Sequence, residues 1–262
     1  MSAKIRTADR TADILLCFLE LGAELRVTDI VSRLKLDKGT TSRLLSTLAG
    51  KGLVARDSLT RRYRLGPAIF ALGNAAQGHN NLAQLAMPAL TWLRDASGES
   101  SGIDVLIGDS RVCLAQVESR QDLRRVIQVG QPFPAYAGAA GKVLLAHLPD
   151  EALEATVQRM RLQRLTPDTI IDRAALLKEL RKVRRNGYAI GYGERIPGGA
   201  GVAVPVRGTR DEAVAALSFS MPSSRYEPAR IGEYVGWLRK AADQVSGSLG
   251  RPVSRRNHDG KR

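Results

Sequence analysis

The sequence predicts an α+β protein in two unequal parts, and two patterns and a charge imbalance predict it. Residues 1–66 carry three short stretches of helical apolar spacing, followed by a pair of strand-like runs. From Leu82 onward strand-like runs mix with helical ones, as expected of antiparallel strands with flanking helices. The charge of +14 over 262 residues is uneven. Residues 1–66 hold 13 Lys/Arg against 7 Asp/Glu, a net of +6; residues 67–250 hold 22 against 18, a net of +4; the last twelve hold 5 against 1, a net of +4. A polyanion fits the basic N-terminal quarter. A basic surface kept for solubility is the alternative.

The elements follow in order. Ala8, Ala12, Leu15, Leu16 and Leu19 recur at three- and four-residue spacing, so residues 7–21 predict a helix that Gly22 ends. Thr28 is the expected N-cap of a short second helix with Ile30, Val31 and Leu34 as its apolar face. Asp37 caps a third helix, which turns Leu44, Leu45 and Leu48 inward, with Thr41 on their side, and stops at Gly50 and Gly52. "LVARDSLTRRYRL" then predicts two strands around a turn at Asp57–Thr60. Three helices and a hairpin make a winged helix-turn-helix. Pro67 suits the first turn of a connecting helix, and "GNAAQGHNN" is a polar junction.

Beyond it, "LAQLAMPALTWLRDAS" predicts a helix, and "GIDVLIG", "VCLAQVES" and "RRVIQVG" predict three strands. The loop "QPFPAYAGAAGK" leads to helices at 142–147, 150–160 and 172–186. Two late strands, "GVAVPVRG" and "AVAALSFSM", precede a terminal helix from Pro228 to Leu249. The expected domains are therefore 1–66 for the winged helix, 67–83 for the connecting helix and linker, and 84–250 for a sensor domain. Residues 251–262 form a basic tail expected to be disordered.

The third helix opens with "KGTTSR", three hydroxyls and two cations in six residues, which make a poor core and a good surface for phosphates and base edges. Lys38, Thr40, Thr41, Ser42 and Arg43 fall in its first turns, where a recognition helix meets the major groove, and Thr47 and Lys51 continue the outward face. Free backbone N–H groups there are also suited to a phosphate. Arg61, Arg62 and Arg64 fall in the hairpin, where a wing meets the DNA backbone or minor groove. A merely solvated helix start would need only the capping hydroxyls, not the hairpin arginines.

Other functions find little. Cys17 and Cys113 sit in apolar runs and read as buried thiols. No run of 18 apolar residues spans a membrane, and "MSAKIRTADR" lacks the apolar stretch of a signal peptide, so a cytoplasmic protein is expected. "GAAGK" fails as a phosphate-binding loop, because Tyr136 and Val143 stand where glycine and a hydroxyl are needed. "GDS" at 108–110 has no histidine and carboxylate pair to activate it: His79, His147 and His258 all lack an aspartate three residues before them. No metal-ligand spacing is present, and neither catalysis nor a cofactor is expected. The rival readings are an enzyme with an appended DNA-binding domain and a constitutive DNA-binding protein whose C-terminal domain takes no ligand.

The segments "TADRTADILLCFLELGAELRVTDIVSRLKLDKGTTSRLLSTLAGKGLVARD", "RYRLGPAIFALG", "GKVLLAHLP", "LTPDTI", "RRNGYAI" and "AALSFSMP", in this order and spacing, resemble the isocitrate-lyase-regulator (IclR) family of bacterial transcription factors. The resemblance covers roughly residues 7–250. It implies a winged helix, a connecting helix and a GAF-like effector-binding domain, acting as a homodimer or dimer of dimers on a palindromic operator in double-stranded DNA. It places Lys38, Thr40, Thr41, Ser42 and Arg43 at the start of the recognition helix, with Gly39 where a serine is common. It also implies an effector pocket lined by Ala139, Ala140, Gly191, Gly201, Ser218 and Ser220. Tyr136 stands where a histidine is common, Gly191 where an acid is, and Gly201 where a cysteine is. Those small residues imply an open, weakly polar cavity, with Ser218, Ser220 and the Tyr136 hydroxyl as its polar side chains. Such a cavity favours an aromatic or medium-sized carboxylic acid, its anionic end held by backbone N–H groups of "AGAAGK" together with Lys142. The small residues alternatively serve only close backbone packing.

Overall fold

A computed structural model of the chain describes residues 5–76 and 82–250. The chain forms two compact units, Met1–His79 and Asn80–Arg262. The predicted tail at 251–262 and most of the predicted junction lie outside the described residues.

In the first unit, α1 (Arg6–Leu21), α2 (Val27–Leu34) and α3 (Lys38–Gly50) precede the two-stranded wing of β1 (Val54–Arg56) and β2 (Tyr63–Leu65). Helical spacing is what buries Ile14 and Phe18 of α1, Ile30 of α2, and Leu45 and Leu48 of α3 against Val54 and Tyr63. Leu25 and Tyr63 exchange backbone hydrogen bonds of 2.9 and 2.7 Å, so the chain entering α2 adds a third rung to the wing. Thr28 is not the cap of α2. The cap is Arg26, two residues earlier, and the Asp29 carboxylate reaches back to accept the Arg26 N–H at 2.8 Å. α4 (Pro67–Ala76) closes the unit.

In the second unit, α5 (Leu82–Ser97) leads into β3 (Ser100–Ile107), β4 (Ser110–Val117) and β5 (Pro132–Pro134). Three helices follow: α6 (Ala139–Ala146), α7 (Asp150–Arg159) and α8 (Arg173–Asn186). β6 (Ala189–Tyr192), β7 (Gly199–Arg207), β8 (Ala213–Pro222) and α9 (Ile231–Ser248) complete it. The six strands form one antiparallel sheet in the order β5-β4-β3-β8-β7-β6. Alternation assigns its two faces. On β8, Leu217, Phe219 and Met221 face α5 and α9, packing with Leu90, Leu93, Tyr234 and Leu238. Ala216, Ser218 and Ser220 alternate with them, and Ala216 packs with α6 and α8. Registered beside them are Gly201 and Ala203 on β7, Gly191 on β6, and Gly102 and Asp104 on β3. That face is paved with small side chains, and α6, with every residue buried, lies close on it.

One strand expectation fails, and one strand is additional. "RRVIQVG" is not a strand, because the Gln116 side chain takes its backbone groups. The Gln116 Oε1 accepts the Ile127 N–H at 2.8 Å, and its amide donates to the Arg125 carbonyl at 3.5 Å. The edge position passes to β5. β6 was not foreseen; four residues with a central glycine give no readable period.

Candidate functional site

Two surfaces collect the residues singled out by sequence. The first is the outward side of α3. Asp37 caps the helix, accepting the Gly39 N–H at 2.9 Å and the Thr40 N–H at 2.7 Å. A bond from the Thr40 side chain and, after it, these two amide bonds hold its carboxyl down at about 2. The sequence suggests free amides for a phosphate at this helix start; these two are instead engaged within the chain. Lys38, Ser42, Arg43 and Thr47 are exposed, with Thr40 half-buried beside them. Lys51 is exposed one residue beyond the helix. Thr41 is a correction: it is fully buried, and its hydroxyl donates to the Asp37 carbonyl at 2.9 Å. It shares the side of Leu45 and Leu48 and cannot present itself to a base. Ser46, passed over in the sequence, shares the exposed face, four residues after Ser42.

The wing is shaped by Asp57, whose carboxylate accepts the Leu59 and Thr60 N–H groups and the Thr60 hydroxyl. Arg61 turns the chain at φ 56°, in the left-handed region. Arg61 and Arg64 are exposed and Arg62 is half-buried, so all three cations border solvent at the hairpin.

The second surface is a pocket between the start of α6 and the small-residue face of the sheet. Its wall includes Gly138, Ala139, Ala140, Gly191, Gly201, Ser218 and Ser220, so six of the seven residues implied by the resemblance meet there. Tyr136, the seventh, does not line it. Its hydroxyl instead donates to the Gln163 carbonyl and accepts the Gln163 N–H, both at 3.0 Å, tying down the loop after α7. Gly191 and Gly201 are packing positions as well: a Cβ on Gly191 would stand 2.7 Å from the Ala139 nitrogen, and one on Gly201 would stand 2.7 Å from the Phe219 carbonyl oxygen. Each glycine lets a neighbouring backbone approach.

The expectation of a weakly polar cavity is overturned. Arg111, Arg125, Arg195 and Glu194 also line the pocket. Arg111 is buried and ion-paired with Asp104, itself fully buried, and the Ser218 hydroxyl donates to the other Asp104 oxygen at 3.4 Å. The Arg111 and Arg195 guanidiniums lie 5.0 and 4.4 Å from the centre of the Phe133 ring, a cation–π arrangement that orients both. Burial, and after it Arg111 and Arg125, push Arg195 down to about 10; burial and Arg111 lower Arg125 too. Among the described residues, neither Arg125 nor Arg195 has an ion-pair partner.

Lys142 does not reach the pocket as a free cation. It is buried, and its ammonium is shared between Glu194 and Glu179. Glu194 also accepts the Gly138 N–H at 2.7 Å, so a carboxylate of the chain itself sits at the start of α6. Cys113 lies close by, with its thiol pushed up to about 12 by burial and then by Asp104, which leaves it unreactive. The pocket arginines escaped sequence reading because "DSR", "LRR" and "GER" are ordinary turn compositions; only the fold brings residues 111, 125 and 195 together.

A winged helix-turn-helix with a cationic outward face, carried on the same chain as a sheet domain with a polar pocket, defines a helix-turn-helix transcription regulator. The description "Bacterial transcriptional regulator IclR C-terminal" matches residues 74–247, and "IclR helix-turn-helix domain" matches residues 7–58. The chain belongs to the IclR family. It is 34% identical to the HTH-type transcriptional regulator BhcR of Paracoccus denitrificans, over 94% of this chain and 88% of that one. It is 32% identical to the HTH-type transcriptional repressor AllR of Klebsiella pneumoniae, over 92% and 89%. Among solved structures, an IclR transcriptional regulator from Silicibacter sp. TM1040 superimposes with a TM-score of 0.87 at 25% identity, covering 95% of this chain and 98% of that one. An IclR homolog from Microbacterium hydrocarbonoxydans, complexed with 4-hydroxybenzoate, gives 0.75 at 25%, covering 93% and 99%. These relatives are transcription regulators, not enzymes.

Proposed function

We propose that this regulator represses a catabolic operon and that a small organic acid, bound in the pocket at α6, changes its hold on a palindromic operator. The observation that carries the reading is the pair Arg125 and Arg195, two guanidiniums at the pocket that form no ion pair among the described residues. An organic anion supplies that charge through bidentate hydrogen bonds, the interaction for which guanidinium geometry is suited. The 4-hydroxybenzoate carried by one homolog and the repressor role of AllR agree with it. Lys38, Thr40, Ser42, Arg43, Thr47 and Lys51 then read the major groove, and Arg61, Arg62 and Arg64 hold the backbone beside it. The protein acts as a dimer or dimer of dimers, the symmetry that a palindrome matches. The ligand works only through a difference in affinity between the operator-binding and non-binding states.

Fluorescence anisotropy on the DNA flanking the gene tests the reading, with and without a panel of small carboxylic acids. At least one acid should shift operator affinity in the wild type. Arg195→Gln should lose the shift and keep the ligand-free affinity. A shift that survives both Arg125→Gln and Arg195→Gln places the ligand elsewhere.

A further inference from the structure

The acid-binding reading above names a class of ligand; the charges around the pocket narrow it. Arg111 is neutralised by Asp104. Lys142 is more than neutralised, since it faces both Glu194 and Glu179. Two cations without an ion pair remain among the described residues, Arg125 and Arg195; Arg111 disfavours both, Arg125 also disfavours Arg195, and Asp104 offsets this only in part at Arg195. The other anion position, the start of α6, is already filled. The Glu194 carboxylate accepts the Gly138 N–H there and is held in place by Lys142. An incoming acid group therefore meets a carboxylate at the helix end and bare guanidiniums at the other.

Resting on that reading, we propose that the pocket selects compact dianions, carried either as two carboxylates or as one phosphate, with both negative charges received by Arg125 and Arg195 and the helix end left to Glu194. A monoanion would leave one guanidinium of the pair uncompensated in a half-buried site, where an unpaired charge is costly. The cavity of about 60 Å³ has room for roughly five water-sized groups, which suits a short ligand rather than an extended one. The segment that carries Arg125 is fixed from two sides. Gln116 bonds both the Ile127 N–H and the Arg125 carbonyl, and Arg225 donates to the Leu123 carbonyl at 2.8 Å. Arg125 is thus presented on a braced segment.

Calorimetric titration of the full chain at constant ionic strength tests the proposal, with malonate, succinate and inorganic phosphate as dianions and butyrate and benzoate as monoanions. At least one dianion should bind roughly tenfold or more tightly than either monoanion, a difference of about 1.4 kcal/mol. Succinate over phosphate identifies a dicarboxylate ligand, and the reverse identifies a phosphate. In Arg125→Gln and in Arg195→Gln the preference should fall to within about threefold. The ligand-free melting temperature of each variant should be unchanged or higher, because like-charge repulsion is relieved; a purely structural arginine would lower it. Butyrate or benzoate binding as tightly as every dianion, with loss in the arginine variants, overturns dianion selectivity and leaves the acid-binding reading standing. A dianion preference that persists in both variants overturns the assignment to these arginines. No binding by any of the five probes overturns both.

Discussion

Arg43, Arg61 and Arg64 in the helix-turn-helix unit are exposed, whereas Arg111 in the sheet unit is buried and Arg125 and Arg195 are half-buried. The same side chain thereby serves two kinds of anion. An exposed guanidinium in water gains little from a single partner and is screened within about a Debye length, roughly 8 Å at physiological salt. It is effective only against a dense row of phosphates, where released counterions supply the gain. A guanidinium with its water stripped away holds one small anion strongly and is costly to leave alone. Net charge marks the N-terminal unit as the basic one, yet the half-buried cations without an ion pair that line a pocket, Arg125 and Arg195, lie in the other unit. Burial, not charge density along the chain, separates a polyanion surface from a small-anion site.

The comparison breaks most sharply at Asp104. Asp104→Ala leaves the buried Arg111 without its partner, and the expected cost is about 3–5 kcal/mol, read as a lower denaturation midpoint of the sheet unit. A loss below about 1 kcal/mol would show that Arg111 behaves like a surface arginine after all. Removing an exposed arginine should instead leave stability alone and act on DNA. Arg43→Ala is expected to cost about 1–3 kcal/mol for each operator half-site, with an unchanged melting temperature. Operator affinity within twofold of the wild type would remove Arg43 from the reading face.

The wing gives a smaller, graded effect. The double variant Arg61→Ala, Arg62→Ala should weaken specific and nonspecific DNA alike. Its log–log salt slope should fall by about 1 for each phosphate that is no longer neutralised. The same salt series applied to ligand binding in the pocket should change affinity far less; equal slopes at both sites would erase the distinction.

The smallest expected effects are pH dependences, and they also separate the units. In the first unit the Asp37 carboxyl is held at about 2, below its unfolded value. Its contribution is therefore complete above the ordinary carboxylate range and is lost only as the pH falls toward 2. In the second, burial lowers the His147 imidazole, whose Nδ1 donates to the Val143 carbonyl at 2.8 Å while its buried Nε2 has no partner among the described residues. The unfolded chain then binds the proton more readily, so stability contributed by neutral His147 is present above the ordinary histidine range and falls as the pH drops through it. Urea midpoints measured from pH 8 to pH 5 should decline in the wild type and decline less in His147→Gln. Parallel curves would clear His147 of any part in it.

The sequence by itself determined what depends on local pattern. Leucine spacing set α1 and α3, and Asp37 set the start of α3 because a carboxylate at that position satisfies the first free amides. The hairpin arginines were legible because the turn at Asp57 is encoded within six residues. The strand at "AVAALSFSM" was legible from its composition, and the structure assigned its two faces. Tertiary structure decided the rest. The strand expected at 124–130 was lost to the Gln116 side chain, a competitor eight or more residues away. Tyr136 was drawn to Gln163, and Lys142 to Glu179 and Glu194, by partners that no local window contains. The pocket's charge was set the same way: Arg111 comes from an antiparallel strand, Arg125 from the segment beside it, and Arg195 from a turn about seventy residues later. Their meeting depends on sheet order, and sheet order is a property of long-range pairing rather than of periodicity.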